Sequence, residues 1–140
     1  EGVREAVAQL SEPRCVCSNS TEDRIKAMLT KVGYIDLFEP NIFSAESLGP
    51  DRVKPKPDVF LHGAEKLGAR PGNTLVIEDS VHGVTGAKAA GMRVVGFTGA
   101  SHTGPTHADK LSEAGAETVI HRMEDLPAVA TALLEWSDAV

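Results

Sequence analysis

The sequence predicts an α/β fold in which helices cover both faces of a parallel sheet, and three observations carry that prediction. The first is a steady alternation of short β-branched runs with stretches of helical periodicity. The second is Leu75-Val76-Ile77-Glu78-Asp79-Ser80, an apolar strand pattern that runs straight into two carboxylates and a hydroxyl. Such groups, at the carboxyl end of a strand, stand where open α/β sheets place their ligands. The third is the segment after it, residues 81–90, whose Ala and Gly content suits a helix lying close on a sheet.

Taken in order, Val3, Ala6, Val7 and Leu10 fall at helical spacing, and Pro13 ends that pattern. Cys15-Val16-Cys17 reads as a short buried strand ending in Ser18-Asn19-Ser20. Ser20 and Asp23 form a capping box for a helix whose buried stripe is Ile25, Met28, Leu29 and Val32, with Gly33 as its stop. Residues 41–45 are a weaker strand. Pro57 suits the first position of a helix with Phe60, Leu61, Ala64 and Leu67 on its apolar face and Gly68 after it. Residues 74–77 form a strand buried on both faces, set off by the turn Arg70-Pro71-Gly72-Asn73. Residues 93–97 are another buried strand, 98–106 a loop, 107–114 a helix and 118–120 an edge strand. Leu126, Val129, Ala130 and Leu133 define the last helix, and Trp136 packs on it.

The length of 140 residues supports one domain with a single core. A formal net charge of −6 argues against nucleic acid or an anionic membrane as the main partner. No apolar run approaches the roughly 20 residues of a membrane span, and no signal-peptide pattern opens the chain. The two cysteines, Cys15 and Cys17, lie on one face of their strand in poor geometry for a disulfide. Reduced, buried thiols in a cytoplasmic protein are the expectation.

Three strand ends carry polar groups. Ser18 and Asn19 offer a hydroxyl and backbone N–H groups at a strand-to-helix turn, an anion site. Lys54, before a helix, offers a cation. Glu78 and Asp79 repel one another unless a cation or a proton joins them, and hard oxygen donors there suit Mg²⁺ held with a substrate phosphate. The alternative is an acidic turn complementing a helix dipole. A hydroxyl, a lysine and a Mg²⁺ carboxylate pair are what phosphoryl transfer requires. His102 and His107 lie in or beside the 98–106 loop, within reach of substrate or metal, although surface roles are the plainer reading for five histidines.

The order Cys-Ser-Asn-Ser, Lys-Pro-Lys-Pro-Asp-Val-Phe, then Val-Ile-Glu-Asp-Ser-Val-His-Gly-Val resembles the haloacid dehalogenase superfamily, in its β-phosphoglucomutase and sugar-phosphate phosphatase branch. The resemblance runs from Gly2 to about Leu126. It implies a doubly wound, Rossmann-like parallel sheet. Ser18 would be the phosphate-binding hydroxyl, with Asn19 beside it, and Lys54 the lysine bridging phosphate and nucleophile. Glu78 and Asp79 would be the Mg²⁺ acids, Asp79 ranking first as direct ligand; Lys56 ranks below Lys54. Members of this family carry Asp-x-Asp-Gly-Thr on their first strand, and no Asp-x-Asp occurs here. The helical cap of that branch is absent too. Residues 1–140 are therefore expected to be the C-terminal part of the core domain, without the central first strand and the nucleophile. The expected function is Mg²⁺-dependent hydrolysis of a small phosphorylated metabolite through an aspartyl-phosphate, with this portion inactive alone. A phosphosugar mutase and a non-catalytic phosphate-binding or interaction module are the alternatives. The strand would belong between the one ending at Ser18 and the one ending at Glu78. Three outcomes are open there: direct closure, a missing N-terminal segment, or a strand exchanged with another copy in a homo-oligomer.

Overall fold

The computed structural model describes residues 2–10, 12–99 and 106–138. In chain order the elements are α1 (Val3–Ala8), β1 (Val16–Ser18), α2 (Glu22–Val32), α3 (Ile35–Phe38), β2 (Ile42–Ser44), α4 (Ala45–Leu48), α5 (Asp58–Leu67), β3 (Leu75–Glu78), α6 (Val81–Ala89), β4 (Arg93–Phe97), α7 (His107–Ala114), β5 (Thr118–Ile120) and α8 (Leu126–Asp138). All strand pairs are parallel. β1 pairs β2 with Val16 opposite Ile42, β3 pairs β4 with Leu75 opposite Arg93, and β4 pairs β5 with Val95 opposite Thr118.

These pairings make two sheets, of two and three strands, and β1 does not bond β3 among the described residues. A cavity of about 680 Å³ separates them, lined by residues 15–18 of β1 and its approach and by 74–79 of β3 and its flanks. The direct-closure outcome is thereby set aside. The sheets are held in one body by the helices instead. A continuous buried cluster runs from Ala45 through Val59, Phe60 and Ala64 of α5 to Val84 and Ala87 of α6 and Leu111 of α7. On the opposite face, Leu126 and Ala130 of α8 pack with Val95 and Ile120, while Ile25 and Leu29 of α2 pack with Ile42.

Several local expectations change. β3 is not buried on both faces: only Val76 is buried, while Leu75 and Ile77 are half-buried because that strand borders the cavity. Fully enclosed β4, with Val94 and Val95 at 0% exposure, shows what β3 would look like between two neighbours. The stripe of α2 narrows to Ile25 and Leu29, with Met28 and Val32 exposed, since the helix rests on only a two-stranded sheet. On α5, Leu61 is exposed and Val59 takes its place in the core. Pro57 sits one residue before α5 rather than inside it. The cap of α2 is Thr21, whose Oγ1 accepts from Arg24 N at 3.3 Å. Ser20 is held in the preceding turn, its N–H donating to Ser18 Oγ and its carbonyl accepting from Ser44 Oγ. Cys15 and Cys17 are reduced but half-buried, since they too line the cavity. Trp136 lies on α8, and its side chain falls outside what is described, as does His102. Among the described residues no helix is long and apolar enough to cross a membrane.

Arg93 closes the far side of the three-stranded sheet. Its guanidinium donates to both carboxylate oxygens of Glu117, at 2.7 and 3.0 Å, and to the Leu133 carbonyl of α8. Its hydrogen bonds hold the Glu117 carboxyl below its usual range. A depressed carboxyl contributes stability above its unfolded pKa and loses it as pH falls through the folded value. Glu117→Gln is expected to lower stability by up to about 1 kcal/mol near neutrality. The gap from wild type should close in acid, as read from urea midpoints at about pH 7 and about pH 3.

Candidate active site

The polar ends of β1 and β3 meet across the cavity, and the loop before α5 supplies the link. Lys54 reaches in from that loop, where the Lys54–Pro55 peptide bond is cis. Its Nζ donates to the Cys17 carbonyl at 3.0 Å and to Glu78 Oε2 at 2.6 Å, and stands 4.9 Å from the Phe60 ring centroid. Both side chains of the Lys54–Glu78 ion pair are only 9% exposed. Their separation from water makes the pair strong in Coulomb terms and costly to split. The Lys54 N–H donates in turn to Asn19 Oδ1 at 2.8 Å. Asn19 therefore braces the lysine loop against the β1–α2 turn, and its exposed side chain does not line the cavity.

Glu78 is fully occupied. Besides Lys54 on Oε2, its Oε1 accepts from Asp79 N, Ser80 N and Ser80 Oγ at 3.1, 3.3 and 3.1 Å. Ser80 also caps α6, its Oγ accepting from Gly83 N at 3.0 Å. One carboxylate thus fixes both the lysine and the turn from β3 into α6. Room for it comes from Gly83: a Cβ at that position would overlap the Glu78 carboxyl group. At Gly86, a turn further on, a Cβ would stand 3.0 Å from the Lys56 carbonyl and 3.2 Å from the Pro55 carbonyl, so α6 can lie directly against the lysine loop. Gly83→Ala is expected to expel the Glu78 carboxylate and loosen Lys54, costing about 1–3 kcal/mol as overpacking does. Urea unfolding measures the loss, and wild-type stability in the Gly83→Ala chain would contradict this geometry.

Asp79 behaves differently from its neighbour. Its carboxylate has no hydrogen bond or ion pair among the described residues, and it lines the cavity with Ser18, Lys54 and Glu78. Its carbonyl is anchored by His107 Nε2 at 2.5 Å, which makes Nε2 the protonated nitrogen of that ring. His107 is the first residue of α7, half-buried, and its role here is to fix the backbone of Asp79. Ser18 Oγ accepts from Ser20 N at 3.1 Å, which leaves the hydroxyl proton available to an anion. Lys56 is exposed and stands apart from the cavity.

Ser18, Lys54, Glu78 and Asp79 thus line one cavity at the carboxyl ends of β1 and β3, with Asn19 behind the lysine. Sequence reasoning named Phe60, Ser80 and His107 but not their bracing roles, and gave none to Gly83. Only the Ser80-x-x-Gly83 spacing, a serine three residues before an N–H that it can cap, carried any signal. No cluster of three or more His, Cys, Asp or Glu side chains occurs among the described residues. Mg²⁺ does not need one, since it commonly takes one or two carboxylates and completes its shell with water and substrate phosphate. The uncommitted Asp79 carboxylate fits that requirement, with Glu78 engaged beside it.

A haloacid dehalogenase-like hydrolase family model matches residues 1–91. Among solved structures, a conserved haloacid dehalogenase-like protein of unknown function from Agrobacterium tumefaciens is 62% identical, with a TM-score of 0.93, covering 95% of this chain and 60% of that one. A haloacid dehalogenase family hydrolase from Deinococcus radiodurans, solved with bound phosphate and sodium, is 34% identical, with a TM-score of 0.86, over 96% of this chain and 60% of that one. The 6-phosphogluconate phosphatase of Escherichia coli is 27% identical over 122 residues, 81% of this chain and 54% of the enzyme. The chain therefore spans little more than half the length of these relatives.

Proposed function

We infer, from the premise that the chain belongs to the haloacid dehalogenase-like hydrolase family, that it supplies the phosphate- and metal-holding half of a Mg²⁺-dependent phosphatase. Its homologues include sugar-phosphate and related phosphatases, and the substrate class is accordingly a small phosphorylated metabolite. The observation that carries the reading is the position of Lys54, held between the Cys17 carbonyl and Glu78 on the wall that Ser18 and Asp79 share. The phosphate bound in the Deinococcus relative supports an anion site on this scaffold.

Each residue has a role that its surroundings fit. The Ser18 hydroxyl donates to a phosphate oxygen, assisted by N–H groups of the β1–α2 turn. Lys54 places its ammonium against the same phosphate and the attacking carboxylate, and Glu78 and Asn19 hold it there. Asp79 would hold Mg²⁺, which supplies neutralisation of charge on the transferring phosphoryl group. His107 keeps the Asp79 backbone in place for that task. The attacking carboxylate is not among these residues; in this reading it arrives on a strand seated in the cavity between β1 and β3. Two reduced thiols on β1 and its approach agree with a reducing, cytoplasmic setting.

Turnover of a generic phosphomonoester tests the whole reading. The 140-residue chain with Mg²⁺ is expected to be silent, because the covalent step lacks its nucleophile. Joined to a segment that supplies the acidic strand, it is expected to turn over. Asp79→Asn in that form should lower kcat by about 10²-fold or more, as loss of an electrostatic stabiliser does. Hydrolysis by the chain alone, free of contaminating phosphatase, contradicts the assignment.

A further inference from the structure

The thiols of Cys15 and Cys17 take no part in the mechanism above, yet they are the only two thiols of the chain and their Sγ atoms lie 3.8 Å apart. Both line the cavity beside Ser18 and Lys54. Their shared face meets α5 where the helix has no side chain: a Cβ on Gly63 would stand 2.9 Å from Cys17 Sγ and 3.0 Å from Cys15 Sγ. The missing side chain lets both sulfurs pack against the α5 backbone. The two thiols also share their protons unequally. The hydrogen bond between them draws the Cys15 thiol below its ordinary range, while Cys17 is pushed up by that bond and by burial.

A disulfide is a poor end state for this pair, because an S–S bond of about 2.05 Å demands a large closure across two residues of an extended strand. A centre that binds both sulfurs demands far less. Two thiolates bonded at about 2.3 Å to one pyramidal trivalent centre, at an angle of about 95°, stand about 3.4 Å apart, a closure of about 0.4 Å. We propose that Cys15 and Cys17 form a two-thiolate site for a single soft, thiophilic centre with two exchangeable positions, the trivalent arsenic of an organoarsenical. With an arylarsonous acid, two As–S bonds form and two As–O bonds break. Each thiol proton leaves with a hydroxide as water, and no electrons are exchanged. The adduct lies next to the catalytic machinery: Cys17 carries the carbonyl that holds Lys54 Nζ at 3.0 Å, and Ser18 is the following residue.

The test uses the whole 140-residue chain and phenylarsine oxide, which hydrates to the arylarsonous acid. Intact-mass spectrometry should find one arsenical per chain, with both thiols lost to a thiol-counting reagent and the far-UV spectrum unchanged. The adduct should survive excess glutathione and yield to 2,3-dimercaptopropanol. Cys15→Ser and Cys17→Ser should each weaken it by about 10²-fold or more, the usual advantage of a second tethered contact. An adduct that glutathione strips as easily from wild type as from either variant overturns the proposal. So does one that forms only after unfolding in urea, or conversion of the pair to a disulfide instead.

Discussion

Replacing Lys54 with methionine is expected to lower folding stability by about 3–5 kcal/mol, the loss that follows when one partner of a buried ion pair is removed. Methionine keeps the length of the side chain and its contact with Phe60, so little of the loss comes from packing. What remains is the Glu78 carboxylate, 9% exposed and deprived of a cation 2.6 Å away. Its three other hydrogen bonds, from Asp79 N, Ser80 N and Ser80 Oγ, offset part of that cost. Glu78→Gln should be costly for the reciprocal reason, since it strands an ammonium between a carbonyl and a ring. The informative variant combines the two. Lys54→Met with Glu78→Gln leaves no buried charge, and should be more stable than the sum of the single losses predicts, by about 0.5–3 kcal/mol. Urea unfolding of the four chains completes the cycle. Simple additivity would mean that the pair is solvated and that Lys54 is not held by Glu78.

The elements that sequence reasoning located best are those whose environment is local. Residues 93–97 and 118–120 form strands with the expected bounds because β-branched runs there are cut off by turns. Helices α3 and α4 escaped notice because four residues are too few to show a helical period. Met28 and Val32 misled because periodicity marks an apolar face but not the width of the surface that receives it. At the site, residue type and position at strand ends brought forward Ser18, Glu78 and Asp79, the family resemblance ranked Lys54 above Lys56, and all four line one cavity. The family resemblance ranks Asp79 first as direct ligand, but the residues themselves show no division of labour between the two acids. Adjacent carboxylates look equivalent in a sequence, and only the fold turns Glu78 inward to Lys54 and Ser80 while leaving Asp79 uncommitted. His107 was legible as a residue near the site but not as the anchor of a backbone carbonyl 28 positions away.

The cavity between the sheets is expected to accept a β-strand, and the isolated chain is expected to find one in a second copy of itself. β1 and β3 run parallel to their neighbours and present their other edges to the cavity, whose walls include Val16, Leu75, Val76 and Ile77. A strand of about four residues spans about 13 Å and sits about 4.8 Å from each neighbour. Each backbone N–H or C=O left without a partner in such a place costs about 1–3 kcal/mol, and several together rival the whole stability of a domain, about 5–15 kcal/mol. Exposed strand edges recruit strands from other chains for this reason. Light scattering should therefore find species above 14.8 kDa that grow with concentration. Hydrogen exchange at Cys15, Cys17, Leu75 and Ile77, whose N–H groups face the cavity edge, should slow in step. A strand of alternating apolar residues ending in aspartate should compete for the same place. Once bound, it would release the self-association, protect the same amides and bring a carboxylate to the level of Lys54. Protection and catalytic competence would then appear together in the acidic complex, and protection without activity in the self-associated one. A strictly monomeric chain whose amides at Cys15, Cys17, Leu75 and Ile77 exchange freely at every concentration, with or without the added strand, contradicts the expectation.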